Sequence, residues 1–594
     1  MNRRPTRREM IIGSAIALGT LAVAPGCTIV SSSKTSKARI RASYDAIVIG
    51  TGFGGAVAAC RLAQAGLSVA VLERGRRYDI NPFPRNWNNP FDGWLWSSDR
   101  GFLDVKLFQE MTVVQAAGLG GGSLIYANVQ MRAPEAVFDN GWPRGYNRAA
   151  LDPYYDLVAY MLDINPIPKS KLPTKTRLME VAAQRLGRSD QFCFPNIAVD
   201  FGASGVEHRN KFGVSQRGCT SCGECCVGCN FHAKNTLDLN YLAIARSKGA
   251  DIATLCEVFK IEPVATGYKV IFKDHGNNEQ ESEITARYCF VCAGAINSTE
   301  LLLRCRDWHG TLSKLSLRLG DHYSGNGDFL AFAFNTREPF NPSEGPTITT
   351  GIVYDRTDDG FKNWFILEEG GYPREFEAFL QLLNPHFGLF RAAGIVTKNA
   401  LLNAFRTLGG RVGGTDDRSS DHTAILLIMG RDLANGEIRL HPRTSELTIK
   451  WKVPSNLALY EAERRLSTDF ATAMGGNVAM NPLWRLFHIP ATVHSLGGCL
   501  MADSREGGVT DANGEVYEYP GLFVLDGAIL PNATGVNPAH TIAAVAERNI
   551  EVAIRRFTGI QNWRAPEAAA AKPIVDPLGS VTIPSGGTLP TNAP

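Results

Sequence analysis

The stretch "YDAIVIGTGFGGAVAACRLAQAGLSVAVLERG", which begins at Tyr44, narrows the folds available to this chain to a small set. An apolar run, Ala46–Ile49, leads into a glycine-rich loop, then a helical stretch, then a second apolar run, Val69–Leu72. Short apolar runs bounded by glycine turns predict buried strands, and strand, helix and strand in this order predict a parallel α/β unit. We therefore expect the folded chain to begin with a doubly wound, Rossmann-like domain.

The glycines of this loop have separate roles that together predict a dinucleotide site. Gly50 allows the tight turn, Gly52 lets the backbone approach a pyrophosphate, and Gly55 allows the helix to pack closely on the strand. The helix N-terminus then faces the phosphates. Glu73 ends the second strand, eighteen positions after Gly55, where a carboxylate accepts hydrogen bonds from ribose hydroxyls.

Composition indicates a multidomain globular protein that does not bind nucleic acid. At 594 residues, two or three domains are expected. Apolar residues make up 44% and charged residues 20% of the chain, as in ordinary folded proteins. The formal net charge is only +3, and the sequence contains no basic recognition motif or long block of like charge.

The N-terminus has the layout of an export signal. Arg7 and Arg8, in "TRREMII", form a twin-arginine pair ahead of an apolar run, Met10–Ala24, that is too short to span a bilayer comfortably. Cleavage after Ala24, lipidation of Cys27 and an uncut signal anchor all stay open. Twin-arginine export carries folded proteins, usually with a cofactor loaded, so we expect a cofactor enzyme that is periplasmic or secreted, either free or lipid-anchored.

Further motifs resemble one flavoprotein family. A second glycine-rich loop, "GLGGGSLIYANVQMR", spans Gly118–Arg132, and "VHSLGGCLMAD" spans Val493–Asp503. "CAGAINSTELLLRCRD", "SGNGD" at Ser324–Asp328 and the closing "PGLFVLDGAILPNATGVNPAHTIAAVAERNIEVAI" complete the set. Together they resemble the glucose–methanol–choline (GMC) family of FAD oxidoreductases, and within it the cholesterol oxidases with non-covalent flavin and their bacterial relatives.

The resemblance implies an α/β fold with a discontinuous, Rossmann-like FAD-binding domain and a sheet-based α+β substrate domain. We expect the FAD-binding domain at 43–325, including the cysteine-rich segment 219–229, with its C-terminal region at 488–560. Runs such as "TAILLIMG" and "ELTIKWK" predict the strands of a substrate domain over 326–487. The signal and a linker occupy 1–42, and the Ala-, Pro- and Gly-rich stretch 561–594 is predicted to be disordered.

FAD is the cofactor that the resemblance implies. No histidine or cysteine lies at the flavin-facing end of the second glycine loop, so we expect FAD to bind without a covalent link. The residues expected to contact it lie in the two glycine loops and in the later family motifs. They are Gly50, Gly52, Phe53, Gly54, Gly55, Glu73, Gly118, Gly120, Gly121, Gly122, Ser123, Asn128, Gly294, Asp526, Gly527, Asn537 and Pro538.

Two residues are predicted to serve alcohol oxidation, which requires loss of the hydroxyl proton and of a hydride. A neutral imidazole accepts or polarises such a proton near neutral pH, and His494 lies among small residues that leave room for flavin and substrate. A purely structural loop histidine is the alternative. Asn537 before Pro538 is typical of a helix start, with Asn as N-cap and Pro in the first position. The resemblance adds that this asparagine contacts substrate and flavin.

Cholesterol oxidases also carry a carboxylate that moves the steroid double bond after oxidation. In this chain "FILEEGGYP" occupies the matching region, and the register favours Glu368 over Glu369 as that catalytic carboxylate. A pair of surface-loop acids is the alternative. The resemblance thus implies a steroid isomerase activity that depends on Glu368.

The run "CTSCGECCVGCN" holds five of the thirteen cysteines. Cys219, Cys222, Cys225 and Cys229 have the C-x2-C-x2-C-x3-C spacing of bacterial ferredoxins, with Cys226 extra. A four-cysteine zinc site is disfavoured, because such sites separate their two pairs by a dozen or more residues. Disulfides between cysteines this close are strained. An iron–sulfur cluster and a purely structural loop both stay open.

The sequence therefore predicts an FAD-dependent oxidoreductase that acts on the CH–OH group of a bulky hydrophobic alcohol, with a 3-hydroxysteroid such as cholesterol as the leading substrate. If the enzyme is an oxidase, oxygen is the final electron acceptor. If the cysteines hold an iron–sulfur cluster, a quinone or a cytochrome is the expected acceptor instead. A non-redox flavin lyase or decarboxylase and an exported lipid-binding protein with an inactive flavin site are the alternatives. A water-insoluble substrate suggests peripheral membrane contact.

Overall fold

The computed structural model describes residues 40–79, 82–85, 93–355, 364–374 and 418–580. The predicted export signal, Cys27 and residues 581–594 lie outside these ranges. Within the described ranges, no helix combines the length and the apolar composition that crossing a bilayer requires.

The strands are numbered here in chain order. They are β1 Ser43–Ile49, β2 Val69–Leu72, β3 Leu103–Leu107, β4 Thr112–Ala116, β5 Asn165–Pro166, β6 Phe192–Cys193, β7 Asn196–Ile197, β8 Glu207–Arg209, β9 Ser215–Arg217, β10 Asp251–Ala253, β11 Cys256–Val264, β12 Gly267–Asp274, β13 Gln280–Val291, β14 Phe329–Phe334, β15 Gly351–Asp355, β16 Trp364–Glu369, β17 Ala424–Gly430, β18 Glu437–Leu440, β19 Leu447–Lys450, β20 Asn477–Met480, β21 Ala491–Thr492 and β22 Leu522–Val524.

The α-helices are numbered in the same way. They are α1 Phe53–Gln64, α2 Trp96–Asp99, α3 Arg148–Leu162, α4 Thr174–Arg185, α5 Tyr241–Ser247, α6 Ala295–Leu303, α7 Arg418–Asp421, α8 Val453–Ala473, α9 Pro482–Phe487 and α10 Ala539–Thr558.

The larger sheet forms the Rossmann-like unit. Its strand order is β10–β2–β1–β13–β12–β11, with β22 beside β13. The pairs β10–β2, β2–β1, β1–β13 and β13–β22 are parallel, and every residue of the short strands β2 and β22 is buried. Such continuous apolar strands are expected where both faces of a parallel sheet are covered.

Helices from distant parts of the chain cover this sheet. α1 connects β1 to β2 and packs against both α5 and α10. Since β22 and α10 come from the C-terminal part of the chain, the unit is discontinuous. This confirms the predicted α/β fold with a Rossmann-like domain.

The second sheet is antiparallel and has the order β20–β14–β17–β16–β15–β6. Alternate residues of β14, Phe329, Ala331 and Ala333, face a core that includes Leu459 and Phe470 of α8. The opposite faces of β14, β16 and β17 contribute to the functional site described below. This alternation follows the two-residue period of a strand.

The C-terminal stretch is ordered further than its composition predicts. Residues 561–580 contain the short helical turns Pro566–Ala569 and Pro577–Ser580 and pack onto the rest of the molecule. Glu567 pairs with the fully buried Arg61, and Leu578 is only 6% exposed. The prediction of disorder is therefore wrong for residues 561–580, because the composition does not reveal these tertiary contacts.

Candidate active site

One large cavity, of about 960 Å³, lies between the two sheets. The residues that follow the carboxyl ends of β1, β2, β13 and β22 line one end, which is where open α/β sheets bind their ligands. Side chains of β14, β16 and β17 line the other end. The cavity is within the size range of small-molecule and cofactor sites.

The first glycine loop borders the cavity in the way its spacing predicts. Gly50 has φ of +94°, and a Cβ there would lie 2.4 Å from the carbonyl oxygen of Cys292. A Cβ on Gly54 would lie 1.9 Å from the carbonyl oxygen of Leu525, whereas a Cβ on Gly52 would meet no atom within 4 Å. Open space therefore lies beside Gly52, at the start of α1. The N-terminus of α1 has no side-chain cap, so its N–H groups are available to an anion.

Other residues of this loop have separate positions. Phe53 lines the cavity and packs edge-on against Tyr126, with ring centroids 5.7 Å apart. Gly55 does not line it. A Cβ at Gly55 would lie 2.1 Å from the carbonyl oxygen of Gly50, so this glycine serves helix–strand packing.

Glu73 lies at the cavity wall just after β2. One carboxylate oxygen accepts from the backbone N and Oγ1 of Thr51, at 3.1 and 2.6 Å, and the other accepts from the backbone N of Gly75 at 2.8 Å. Burial raises the pKa of this carboxyl, and the hydrogen bonds from Thr51 and Gly75 oppose that shift. These bonds fix the side chain where the sequence predicts ribose contact.

The second glycine loop touches the first. Gly121 and Gly122 line the cavity, and a Cβ on Gly121 would lie 2.5 Å from Cα of Gly52. Gly118, Gly120 and Ser123 do not line it. Instead, the Ser123 hydroxyl donates to the carbonyl oxygen of Gly120 at 2.7 Å, which holds the loop in shape.

Asn128 has a buried amide with unmet hydrogen-bonding capacity. Its φ is +71°, and neither its oxygen nor its nitrogen has a partner among the described residues. Its neighbours Ala127 and Val129 line the cavity. Asn128 itself is not among the lining residues, so its amide lies behind the cavity wall.

The remaining predicted cofactor contacts meet at the junction of β13 and β22. The Asp526 carboxylate accepts from the backbone N of Gly294 at 2.7 Å and from that of Ala528 at 2.9 Å. Gly294 has φ of +87°, and no atom lies within 4 Å of the position of a Cβ there. Asp526, Gly527, Gly294 and Pro538 all line the cavity. Together with the open space beside Gly52, these residues fit an FAD molecule.

His494 lies in the loop after β21, which pairs in parallel with β4. The imidazole lines the cavity, and its side chain is 21% exposed. Nδ1 lies 2.8 Å from Oδ1 of Asp328. The backbone N of His494 donates to Oγ1 of Thr492 at 2.9 Å, which fixes the loop.

The turn Ser324–Asp328 connects the loop that carries His494 with the loop that carries Asn537. Oδ2 of Asp328 accepts from Oγ1 of Thr492 and the backbone N of Val493, both at 2.9 Å. The side chain of Asn326 accepts from the backbone N of Thr534 and donates to the carbonyl oxygen of Val536, one residue before Asn537. Sequence reasoning noted this motif but missed the role of Asp328, and the acidic end of "SGNGD" was the available signal.

Asn537 does not cap α10, so that prediction is wrong. Pro538 is the N-cap residue, and no side chain caps the helix. Instead, the Asn537 amide nitrogen donates to Oε2 of Glu368 at 3.1 Å, and its Oδ1 has no partner among the described residues. The Asn537 side chain therefore bonds to Glu368 instead of to the N-terminus of α10.

The two acids of β16 point to opposite faces of the sheet. Glu368 faces the cavity, is fully buried, and has one oxygen without a partner in the described part of the chain. Burial raises its pKa to about 8, against the Asn537 hydrogen bond. Glu369 accepts instead from the backbone N atoms of Thr349 and Thr350. The interpretation as surface-loop acids is wrong for both residues.

The cysteine-rich run surrounds a separate, very small cavity of about 20 Å³. The lining includes Cys219, Cys222, Cys225, Cys229 and Lys234. Across the described residues, no group of three or more His, Cys, Asp or Glu side chains is arranged to hold a metal ion. Of the two interpretations that the sequence leaves open, the iron–sulfur cluster therefore finds no support among the described residues.

Cys226, the extra cysteine, lines the main cavity instead. Burial raises the pKa of its thiol to about 11. At neutral pH it therefore presents a protonated, weakly polar side chain to the cavity.

The fold and site define a class of protein: a dinucleotide-binding α/β enzyme with a histidine, an asparagine and a glutamate around one internal cavity. Two profiles described as GMC oxidoreductase match residues 44–322 and 463–546, and the chain belongs to that family. Family membership implies FAD, and the protein is an FAD-dependent alcohol oxidoreductase.

Individual relatives cover most of the chain. A cholesterol oxidase of Acinetobacter baumannii is 28% identical, over 85% of this chain and 93% of that protein. The long-chain-alcohol oxidase FAO4B of Arabidopsis thaliana is 23% identical, over 85% of this chain and 66% of that protein. The crystal structure of pyridoxine 4-oxidase from Mesorbium loti has a TM-score of 0.56 at 16% identity, covering 87% of this chain and 99% of that one. This last similarity bears on the fold alone.

Proposed function

We propose that the protein oxidises a 3-hydroxysteroid such as cholesterol, with FAD as hydride acceptor and oxygen as final electron acceptor. The observation that carries this proposal is the placement of three polar groups in a largely apolar cavity. His494, Asn537 and Glu368 line the same space, beside the residues that fit FAD. The similarity to cholesterol oxidases over most of the chain supports the steroid as substrate.

The substrate end of the cavity has the chemistry of a hydrophobic binding site. Its wall is formed by side chains of β14, β17 and neighbouring loops. The apolar members are Val129, Leu330, Ile348, Leu427 and Met429. A rigid, mostly apolar alcohol gains free energy by burying its surface against such a wall, at about 25 cal/mol per Å².

The chain's own residues account for the proton chemistry. His494 is placed to take the hydroxyl proton, because an imidazole held by one nitrogen leaves the other free to accept. The Asn537 amide is placed to orient the alcohol oxygen, since its Oδ1 has no other partner among the described residues. FAD, when bound, accepts the hydride from the carbinol carbon. The apolar wall excludes water and strengthens these polar contacts.

Glu368 supports a second proposed step, movement of the steroid double bond into conjugation with the new ketone. That step requires a carboxylate that removes a proton from one carbon and returns it to another. Glu368 is the acid of β16 that faces the cavity, and its free oxygen is available for this transfer. The hydrogen bond from Asn537 links the oxidation and isomerisation groups.

A long-chain primary alcohol is the second candidate substrate, favoured by the similarity to a long-chain-alcohol oxidase and by the same apolar wall. An anaerobic visible spectrum of the FAD-loaded protein separates the two. We expect cholesterol to bleach the flavin bands and air to restore them. If only a long-chain alcohol bleaches the flavin bands, that alcohol replaces the steroid as the proposed substrate. If only a quinone or cytochrome reoxidises the flavin, the enzyme is a dehydrogenase.

Export by the twin-arginine route and peripheral membrane contact complete the proposal. The sequence motif around Arg7 and Arg8 supports the first, and the water-insoluble substrate supports the second. Replacing Arg7 and Arg8 with lysine should retain the protein in the cytoplasm, which cell fractionation measures.

A further inference from the structure

Asp328 is the group that holds the imidazole of His494, and nothing in the sequence motif assigns it that role. We propose that Asp328 is a positioning residue that fixes His494 as the Nδ1–H tautomer, with Nε2 unprotonated toward the cavity. The inference rests on the proposed function in naming the alcohol hydroxyl as the group that Nε2 meets. The tautomer itself follows from contacts within the protein.

The hydrogen bond to Asp328 dictates which ring nitrogen carries the proton. Nδ1 lies 2.8 Å from Oδ1 of Asp328, and a carboxylate can only accept there. Nδ1 must therefore donate, and the neutral ring has its lone pair on Nε2. Because His494 lines the cavity, the edge that carries Nε2 is available to a bound alcohol.

Asp328 is itself held rigidly. Its second oxygen accepts two hydrogen bonds from the segment that leads to His494, one from Thr492 Oγ1 and one from Val493 N. The same aspartate thus fixes both the backbone and the ring of the histidine loop. Such rigid support of a base by a second residue is what positioning for catalysis requires.

Other titratable groups lie around Asp328 but do not hold the imidazole. Those close enough to interact electrostatically are Tyr323, Glu368, Tyr460 and Glu463. The Asp432 carboxylate is occupied by Ser324 Oγ and by the backbone N atoms of Gly327 and Ala434. Glu463 has no hydrogen-bond partner for either oxygen within the described ranges.

The proposed oxidation of the alcohol uses both nitrogens of the His494 ring. The alcohol O–H bond breaks and its proton goes to Nε2, while the C–H bonding pair leaves with its hydrogen as a hydride, which FAD would accept when bound. The carbon–oxygen bond becomes a neutral carbonyl. His494 is then a cation, with its Nδ1–H still directed at the Asp328 carboxylate, which stabilises that charge.

The test compares Asp328→Asn and Asp328→Ala with the FAD-loaded wild type. We expect flavin reduction by the alcohol to slow by roughly 10²–10⁴-fold, with substrate affinity changed less than about threefold, because orientation and tautomer are lost while the cavity wall stays intact. In a His494→Ala background, Asp328→Asn should slow flavin reduction almost no further, because the imidazole that Asp328 positions is absent. Glu463→Gln is the matched control, a nearby buried acid with no contact to the ring, and should leave reduction within about threefold of wild type.

A measurement without substrate separates this inference from the proposed function. Histidine labelled with ¹⁵N, assigned by comparison with His494→Ala, should give a protonated Nδ1 and an unprotonated Nε2 in wild type, and a mixture in Asp328→Asn. A protonated Nε2 in wild type, or equal slowing by Asp328→Asn with and without His494, would overturn the inference. If cholesterol fails to reduce the flavin but the ¹⁵N pattern is as expected, only the substrate assignment fails.

Discussion

At the level of single residues, the raised pKa of Glu368 predicts how the proposed isomerisation depends on pH. Its folded-state pKa of about 8 means that the acid form predominates at neutral pH and the carboxylate forms above it. Since the proposed isomerisation begins with proton removal by the carboxylate, its rate should rise as pH passes through about 8. The ultraviolet absorbance of the conjugated enone measures this step separately from flavin reduction.

Replacing Glu368 tests the assignment directly. Glu368→Gln keeps a hydrogen-bond acceptor for Asn537 but cannot carry a proton between carbons. We expect isomerisation to fall by about 10²-fold or more, while flavin reduction changes by less than about tenfold. Glu369→Gln is not a matched control, because Thr349 and Thr350 hold that carboxylate. A Glu368→Gln enzyme that still releases conjugated enone at the wild-type rate would remove the residue from the mechanism.

The burial of Glu463, on α8, predicts that the free energy of unfolding depends on pH. It is fully buried, its carboxyl oxygens have no partner in the described part of the chain, and burial raises its pKa well above the ordinary value. The unfolded chain ionises this group near pH 4.3, whereas the folded chain keeps the proton. The folded state therefore binds more protons than the unfolded state above that pH, and stability falls as pH rises toward the folded pKa.

Glu463→Gln should remove this loss of stability at high pH. We expect the variant to be as stable as wild type near pH 4.5 and more stable at pH 8, by about 1–3 kcal/mol, because the neutral amide need not be protonated. Thermal unfolding at several pH values measures the difference. Glu461→Gln, a half-exposed acid of the same helix, should shift stability by less than about 0.5 kcal/mol at every pH.

At the scale of elements, Gly52 and Gly54 separate cofactor binding from folding. A Cβ on Gly52 meets no protein atom within 4 Å but enters the space where the phosphates are expected, whereas one on Gly54 overlaps the backbone of Leu525, just after β22. We expect Gly52→Ala to fold with the wild-type Tm when FAD is absent, yet to bind FAD at least about tenfold more weakly. Gly54→Ala should lower the Tm of the FAD-free protein. Fluorescence titration with FAD and calorimetry measure the two effects.

The sequence predicts those features of the fold and site that depend only on the local backbone. Gly50 and Gly55 are recognisable because the backbone itself needs a residue without a side chain there, and the alternation along β16 makes Glu368 and Glu369 face opposite sides. The Asp328–His494 and Glu368–Asn537 contacts join residues 166 and 169 positions apart, so they depend on how the two sheets meet. Asn537 was mistaken for a helix cap because the local pattern is the same whether its amide turns back to the helix or across the cavity.

At the scale of the whole molecule, the C-terminal stretch links the two sheets. Glu567 bonds with Arg61 and Gln64 of α1, in the Rossmann-like unit. Further along, Asp576 pairs with Arg148, and Leu578 packs in a cluster with residues of β15, β16 and β17. That cluster includes Met429 and Ile348, which line the substrate end of the cavity. The stretch therefore connects the cofactor-binding unit to the wall of the substrate site.

Ending the chain at Ile560 should affect both stability and substrate binding. Arg61 would lose one of its two carboxylate partners, and the burial of Leu578, worth about 1.5–3 kcal/mol, would be lost. We expect the apparent Tm to fall by roughly 3–10 °C and the Kd for the alcohol to rise more than the Kd for FAD, because the cluster around Leu578 includes residues of the substrate wall. A chain that ends at Ser580 retains these contacts and serves as the control. The Leu578→Ala variant should reproduce the weaker substrate binding without the loss at Arg61, and equal effects on both affinities would contradict the proposed link.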